Sequence, residues 1–165
     1  MFKTFFSLFT CLLYFGLVAQ KIDSIPNGKF IQYEYPSGKI SSEGFLLKGK
    51  PEGYWKNYYS NGNIKSEGLR ENYALEGNWK FYNENSIIQK EIIYSAGKKF
   101  GIQKMYSTEG FLLRKEPYLK DTLHGTVLSF YPDGRISKKT PFEKGKKEGV
   151  STQYDETGAI VALIE

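Results

Sequence analysis

The sequence predicts an all-β protein: an elongated single-layer antiparallel sheet of about six β-hairpin repeats, each 24 residues long. Three recurring columns predict it. A glycine followed two residues later by an aliphatic returns at Gly38 and Ile40, Gly62 and Ile64, Gly110 and Leu112, Gly134 and Ile136, and Gly158 and Ile160, with Ser86 and Ile88 in the one unit that lacks the glycine. A second glycine column keeps the same step at Gly53, Gly77, Gly101, Gly125 and Gly149. Four residues ahead of the first column stands an aromatic, at Tyr58, Tyr82, Tyr106, Phe130 and Tyr154. Self-similarity at a fixed period of this size marks a stacked array whose units bury their apolar sides on one another. Composition agrees, since 16% aromatic residues and 17 glycines favour strands and tight turns over helices.

The array occupies residues 30–165, with units starting at positions 30, 54, 78, 102, 126 and 150, and a lead-in covers 20–29. Residues 1–19 have another character. Lys3 is followed by an apolar run rich in Phe and Leu that ends at the small Ala19, the form of a secretory signal peptide cut before Gln20. The run is short for a spanning helix, which needs roughly 20 apolar residues. A retained anchor and a lipoprotein processed at Cys11 are the alternatives, the second disfavoured because Phe9 and Thr10 fit a lipobox poorly. The expected location is therefore export from a bacterial cell to the periplasm, the envelope or the exterior. Cys11 is the one cysteine and lies in this leader, so the mature chain would hold no disulfide, thiol nucleophile or cysteine metal site. Removing Lys3 from the 23 basic residues leaves 22 against 18 acidic ones, a mild +4 that does not argue for nucleic acid.

Within each unit two short strands flank a polar turn, as in YWKNYY, SNG and NIKSEG. Pro36 in YPSGK and Pro132 in YPDGR settle the turn type. Proline holds φ near −65°, which a type I′ turn forbids and the second position of a type I turn favours. The next glycine then turns left-handed, giving a three-residue hairpin with a bulge. Tyr131 should face Arg135, so that Phe130 faces Ile136 and Tyr58 faces Ile64, with both apolar columns on one side. Carried on along the strands, this register sets Trp55 opposite Glu67 and Trp79 opposite Glu91 on the other side. The second turn, around residues 48–53 and 144–149, reads as longer, glycine-containing and charged. Pro117 and Pro141 interrupt the returning strands, so the later units should be less regular.

The run GYWKNYYSNGNIKSEG with KGKPEG resembles the MORN repeat, and more narrowly its bacterial variant, some members of which are described as toxin–antitoxin system antitoxins. The resemblance covers about residues 28–160 and departs from the pattern at Asn85-Ser86, Tyr73 and Asp121. It implies a platform of stacked hairpins advancing about 10 Å per repeat, with little enclosed volume.

No catalytic, cofactor-binding or metal-ligating set stands out. His124, the single histidine, takes a slot otherwise held by Glu52, Glu76, Phe100 and Glu148 and reads as a turn residue. There is no paired-histidine metal motif, nucleophile elbow or phosphate-binding glycine loop, so an enzyme is not expected and no cofactor is implied. Two surfaces remain. One is a row of Glu43, Glu67 and Glu91 beside Tyr35, Tyr59, Trp55 and Trp79, in which indoles and carboxylates could stack on a sugar or clasp a basic segment. In later units its glutamate slot becomes Lys115 and Lys139, so the strip should run from acidic to basic. The other is the basic stretch holding Arg135, Lys138, Lys139, Lys144, Lys146 and Lys147, suited to an anionic surface. Both are also ordinary solvating features of an exposed sheet. The expected partner is another protein at the cell envelope, with a cell-wall glycan or anionic lipid as alternatives, an antitoxin or immunity role as a third, and no nucleic acid.

Overall fold

The computed structural model describes residues 25–165. The leader 1–19 and the first residues of the lead-in lie outside that range. Strands β1 (Lys29–Glu34) and β2 (Ile40–Leu47) form the first hairpin, and β3 (Lys50–Tyr58) with β4 (Ile64–Glu71) form the second. Next come β5 (Ala74–Tyr82), β6 (Ile88–Ser95), β7 (Lys98–Lys99), β8 (Gly101–Tyr106), β9 (Leu112–Leu119) and β10 (Thr122–Leu123). The chain ends with β11 (Gly125–Phe130), β12 (Ile136–Glu143), β13 (Lys146–Lys147), β14 (Ser151–Tyr154) and β15 (Ile160–Ile164). All 15 strands join one antiparallel sheet in chain order, with the two-residue strands β7, β10 and β13 attached to its side. The described residues are thus the predicted single layer of hairpins.

The proline-based turn is present. Tyr131 N donates to Arg135 O at 2.8 Å, and Gly134, at φ 88°, donates back to Tyr131 O at 2.9 Å. Phe130 faces Ile136 and Tyr58 faces Ile64, as expected. The bulge next to that turn has a consequence that plain alternation misses. Asn57 faces Ser66 while Tyr58 faces Ile64, which leaves Lys65 as an extra residue and shifts every later pair by one. Trp55 therefore faces Gly68, Trp79 faces Ile92, and Glu67 and Glu91 face Lys56 and Lys80. The expected Trp55–Glu67 and Trp79–Glu91 pairs do not form, because a slip of one residue inverts the face of every side chain beyond it.

The second turn is shorter than expected. Leu47 pairs with Lys50 around Lys48 and Gly49, whose φ angles of 50° and 76° are both left-handed, the two-residue type I′ geometry. Asn72 and Tyr73 take the same conformation without glycine, as do Lys120 and Asp121. The glycine column at Gly53 lies past this turn, inside the outgoing strand. There Glu43 pairs with Lys56 and Phe45 with Glu52, so Gly53, Tyr54 and Trp55 bulge opposite Gly44 alone. The bend needs the left-handed φ of 72° at Gly53.

This second bulge creates the core. The residues it presents at the 24-residue step are Trp55, Trp79, Gln103, Val127 and Ser151, and they are 6%, 3%, 3%, 2% and 3% exposed. With Ser66 and Thr140, at 8% and 7%, and the buried Gly44, Gly53 and Gly68, this line along the sheet is the interior of a single layer.

Candidate functional site

On the bulged side, each indole lies over a glycine. A methyl group built on Gly44 would come within 2.5 Å of the Trp55 ring, and one on Gly68 within 2.4 Å of Trp79. Both indoles also mend the sheet. Trp55 Nε1 donates to the carbonyls of Phe45 and Glu52, each at 3.1 Å, and Trp79 Nε1 to Leu69 O at 2.8 Å. Arg70 and Phe81 flank the Trp79 ring at 5.6 and 6.3 Å. With almost no ring surface left, Trp55 and Trp79 are core residues, and the row of exposed tryptophans expected for sugar stacking is not formed.

In the next unit the exchange is reciprocal. Ile92 takes the glycine slot and Gln103 the indole slot, followed by Glu116 with Val127 and Thr140 with Ser151. Against the larger Ile92 and Glu116 the core residues Gln103 and Val127 are smaller than an indole, as close packing demands, whereas Thr140 and Ser151 are both small. Gln103 still satisfies the backbone as the indoles do. Its Oε1 accepts from Ile93 N at 2.7 Å, and its Nε2 donates to Phe100 O at 3.0 Å and Ile93 O at 3.3 Å.

The opposite side carries a charged ladder. Down the middle of the sheet, Glu43, Lys56, Glu67, Lys80, Glu91 and Lys104 face one another in succession across the strands. The tyrosines of the first repeat column stand beside them. Tyr58 donates its hydroxyl to Glu43, Tyr82 to Glu67 at 2.6 Å, and Tyr106 to Glu91 at 2.7 Å. Lys104 Nζ reaches Glu91 at 3.2 Å. Burial and then Glu91 push the Tyr106 hydroxyl up to about 12. Burial alone would raise the carboxyls of Glu43 and Glu91, yet both lie below the ordinary value. The Tyr58 hydroxyl, Gln32 amide and Lys56 outweigh it at Glu43, and the Tyr106 hydroxyl with Lys104 and Asn78 at Glu91.

Beyond Lys104 the alternation stops. Lys115 directly faces Lys104, Leu128 faces Lys115, and Lys139 faces Leu128. The partner aromatic changes with the sign: Lys115 sits 5.5 Å over the Phe130 ring and Lys139 5.3 Å over that of Tyr154. The strip therefore runs from balanced to basic and not, as expected, from acidic to basic, since Lys56 and Lys80 offset the glutamates at the start.

Tyr35 and Tyr59 stand away from this row. Their hydroxyls donate to Tyr58 O at 2.6 Å and Tyr82 O at 2.8 Å, and Tyr131 does the same to Tyr154 O at 2.8 Å, tying each turn to the next hairpin. The basic stretch is dispersed. Arg135 is bound to Asp133 at one rim, while Lys144, Lys146 and Lys147 stand at the other, beyond the full length of β12. Lys138 and Lys139, being adjacent in β12, point to opposite faces. The six cations do not make one patch. His124 is exposed and is not the turn residue expected: it lies past the Lys120-Asp121 turn, in the break between β10 and β11, where its amide donates to Pro117 O at 3.0 Å. Among the described residues no group of three or more His, Cys, Asp or Glu could hold a metal, and no helix is long and apolar enough to cross a membrane.

The partners that sequence reasoning missed are Lys56, Lys80, Lys104 and Gln103. The signal was present in the 24-residue columns, where a lysine recurs one residue after the core slot, but it needed the bulged register to place it beside the glutamates.

An open sheet of hairpin repeats with a buried column on one face and a charged ladder on the other defines a repeat platform. Residues 51–72, 75–96 and 123–144 match the family model described as MORN repeat variant. These three matches support a MORN repeat protein, whose all-β fold is typically non-catalytic and whose repeats are generally associated with protein or membrane-lipid binding. No curated protein matches the chain.

Proposed function

We propose that the protein is an exported, non-enzymatic scaffold that binds an acidic segment of another protein at the cell envelope through the lysine end of its ladder face. The observation that carries this reading is the loss of alternation after Lys104. In the first units Glu43, Glu67 and Glu91 each have a lysine opposite and a tyrosine hydroxyl beside them, whereas Lys115 is surrounded by Lys104, Leu128 and the Phe130 ring, and Lys139 by Leu128, Thr152 and the Tyr154 ring, with no carboxylate facing either across the ladder. Two fixed cations flanking an apolar strip suit carboxylates spaced along an extended chain, with charge setting the encounter rate and register. The leader-like residues 1–19 support export.

The test is a crosslinking pull-down from the native envelope with wild type and K115E/K139E in parallel. A protein captured by the wild type and lost from the double variant supports the proposal; identical capture by both sinks it. A second reading, attachment to an anionic lipid surface, rests on the exposed lysines of the type I′ rim, including Lys48, Lys50, Lys98, Lys120, Lys144 and Lys146. Sedimentation with vesicles containing phosphatidylserine, compared with K144E/K146E/K147E, tests that reading, which fails if pelleting is unchanged.

A further inference from the structure

The last returning strand is unlike the others. Five positions that read ISSEG in β2, IKSEG in β4, IQKEI in β6, LLRKE in β9 and ISKKT in β12 read IVALI in β15. The ladder slot that holds Glu43, Glu67, Glu91, Lys115 and Lys139 now holds Leu163, and the slot of Lys90, Arg114 and Lys138 holds Ala162. Yet β15 closes the sheet: among the described residues it pairs with β14 on one side and has no neighbour on the other. Ile160, Val161, Leu163 and Ile164 are 60%, 56%, 67% and 42% exposed, and the adjacent Leu163 and Ile164 point to opposite faces. An open edge ordinarily carries a charge, a proline or a covering segment, because its free N–H and C=O groups template pairing with another chain. At the other edge β1 has Lys29, Gln32 and Glu34.

We propose that β15 is the association surface for a second copy of this chain, the two β15 strands pairing antiparallel about a two-fold axis normal to the sheet. The strand itself selects this partner. A segment that covers it must be apolar on both faces, and β15 is the one wholly apolar strand among the described residues. An isologous contact presents the same strand twice and so meets that demand. A two-fold normal to the sheet keeps each face on its own side, so it passes through a residue and not between two. Val161 is the extra residue of the bulge, since Gln153 faces Ala162 and Tyr154 faces Ile160, and regular alternation resumes beyond it. An axis in that regular part sets Leu163 against its own copy and Ala162 against Ile164, small beside large. The ladder then runs through Lys139, Thr152 and Leu163 into the same residues in reverse. The two Lys139 side chains stand five strand spacings apart, about 24 Å, well beyond a Debye length of about 8 Å, so the basic ends do not repel. Pairing buries on the order of a few hundred Å2 on each copy, the low end for a specific contact, and the dimer therefore forms and dissociates with concentration.

Sedimentation velocity of the full chain over a concentration series tests this. The wild type should move from monomer to dimer as concentration rises and stop there. Leu163→Lys, in a slot where the two preceding units already hold lysine, should leave the circular dichroism unchanged and weaken association by roughly tenfold or more, equivalent to about 1.4 kcal/mol. Leu163→Cys in a Cys11→Ser background reads the register: it should give a disulfide-linked dimer on mild oxidation, because directly opposed residues lie within disulfide reach. Head-to-tail growth onto β1 of the next copy would instead set Leu163 against Gln32, as Glu43 is set against Lys56, and would build species larger than a dimer. A chain that stays monomeric throughout, growth beyond the dimer, equal association by a folded L163K, or no crosslink in L163C overturns the proposal.

Discussion

At the scale of single residues, the repeat provides its own mutational series. Gly68 with Trp79 and Glu116 with Val127 fill the same pair of slots with opposite changes in volume. A side chain added at Gly68 has nowhere to go, because its Cβ would stand 2.4 Å from the Trp79 ring. Gly68→Ala should therefore destabilise the protein by about 1 to 3 kcal/mol, the usual range for an overpacked core. Trp79→Val in the same chain should recover part of that loss, a coupling readable as a double-mutant cycle in urea. Ser86 behaves in the opposite sense. It holds φ 63° in the turn where Gly62 and Gly110 stand in neighbouring units, and it is exposed. Ser86→Gly should raise stability by about 1 kcal/mol by removing left-handed strain. The ladder carboxylates add a pH dependence of defined sign. Glu43 and Glu91 are held below their ordinary values, so their contribution is complete above the unfolded carboxylate range and is lost as pH falls through the lower, folded values. Urea midpoints measured at pH 7 and near pH 3 should show this fall, and Tyr106→Phe should shrink it by removing the hydroxyl that Glu91 accepts.

At the scale of elements, the outgoing strand changes form along the chain. It is continuous over nine residues in β3 and β5, then breaks into β7 and β8, β10 and β11, and β13 and β14. The break leaves the amide of the facing residue in β6, Ile93, turned to the Gln103 side chain for its partner. In the next two units the same position is Pro117 and Pro141, which have no N–H to satisfy, and the core slot reverts to Val127 and Ser151, which offer no amide. The prolines thus do not shorten β9 or β12, which keep eight residues each like β6; they remove a donor that the break would otherwise orphan. Gln103→Leu should cost about 1 to 3 kcal/mol through the stranded Ile93 amide and its neighbouring carbonyls. I93P/Q103V, which copies the later units, should cost less than Gln103→Leu alone, as thermal unfolding would show. The contrast between the two turns explains what could be read in advance. Pro36 and Pro132 fix φ from the sequence, so the first turn and the Tyr58–Ile64 pairing followed directly. The second turn has no such marker. Asn72-Tyr73 and Lys120-Asp121 adopt left-handed angles because the strands on either side impose them, and the two bulges that reassign Trp55 and Glu67 to opposite faces arise from the same tertiary demand.

At the scale of the whole molecule, stability is distributed along one dimension. Each hairpin touches only its neighbours, and the 12 main strands stand side by side in chain order, about 50 to 60 Å across at the usual strand spacing. Such an array is held by the sum of unit and interface terms, and a weak unit can divide it. The core column makes one end stronger than the other. Trp55 and Trp79 cap bulge carbonyls and fill volume in the first units, while Val127 and Ser151 do neither to that extent. Both tryptophans also lie in the N-terminal half, so indole fluorescence reports only that half, whereas far-ultraviolet circular dichroism reports every strand. Val127→Asp places an unpaired carboxylate in a site 2% exposed, which should unfold the later hairpins at lower denaturant. The dichroism transition should then split, with its first phase silent in fluorescence and its second coincident with the wild-type fluorescence midpoint. Coincident transitions by both probes in the variant would mean that the six units melt as one cooperative body, and that the charge change along the ladder is not matched by a change in the strength of the sheet beneath it.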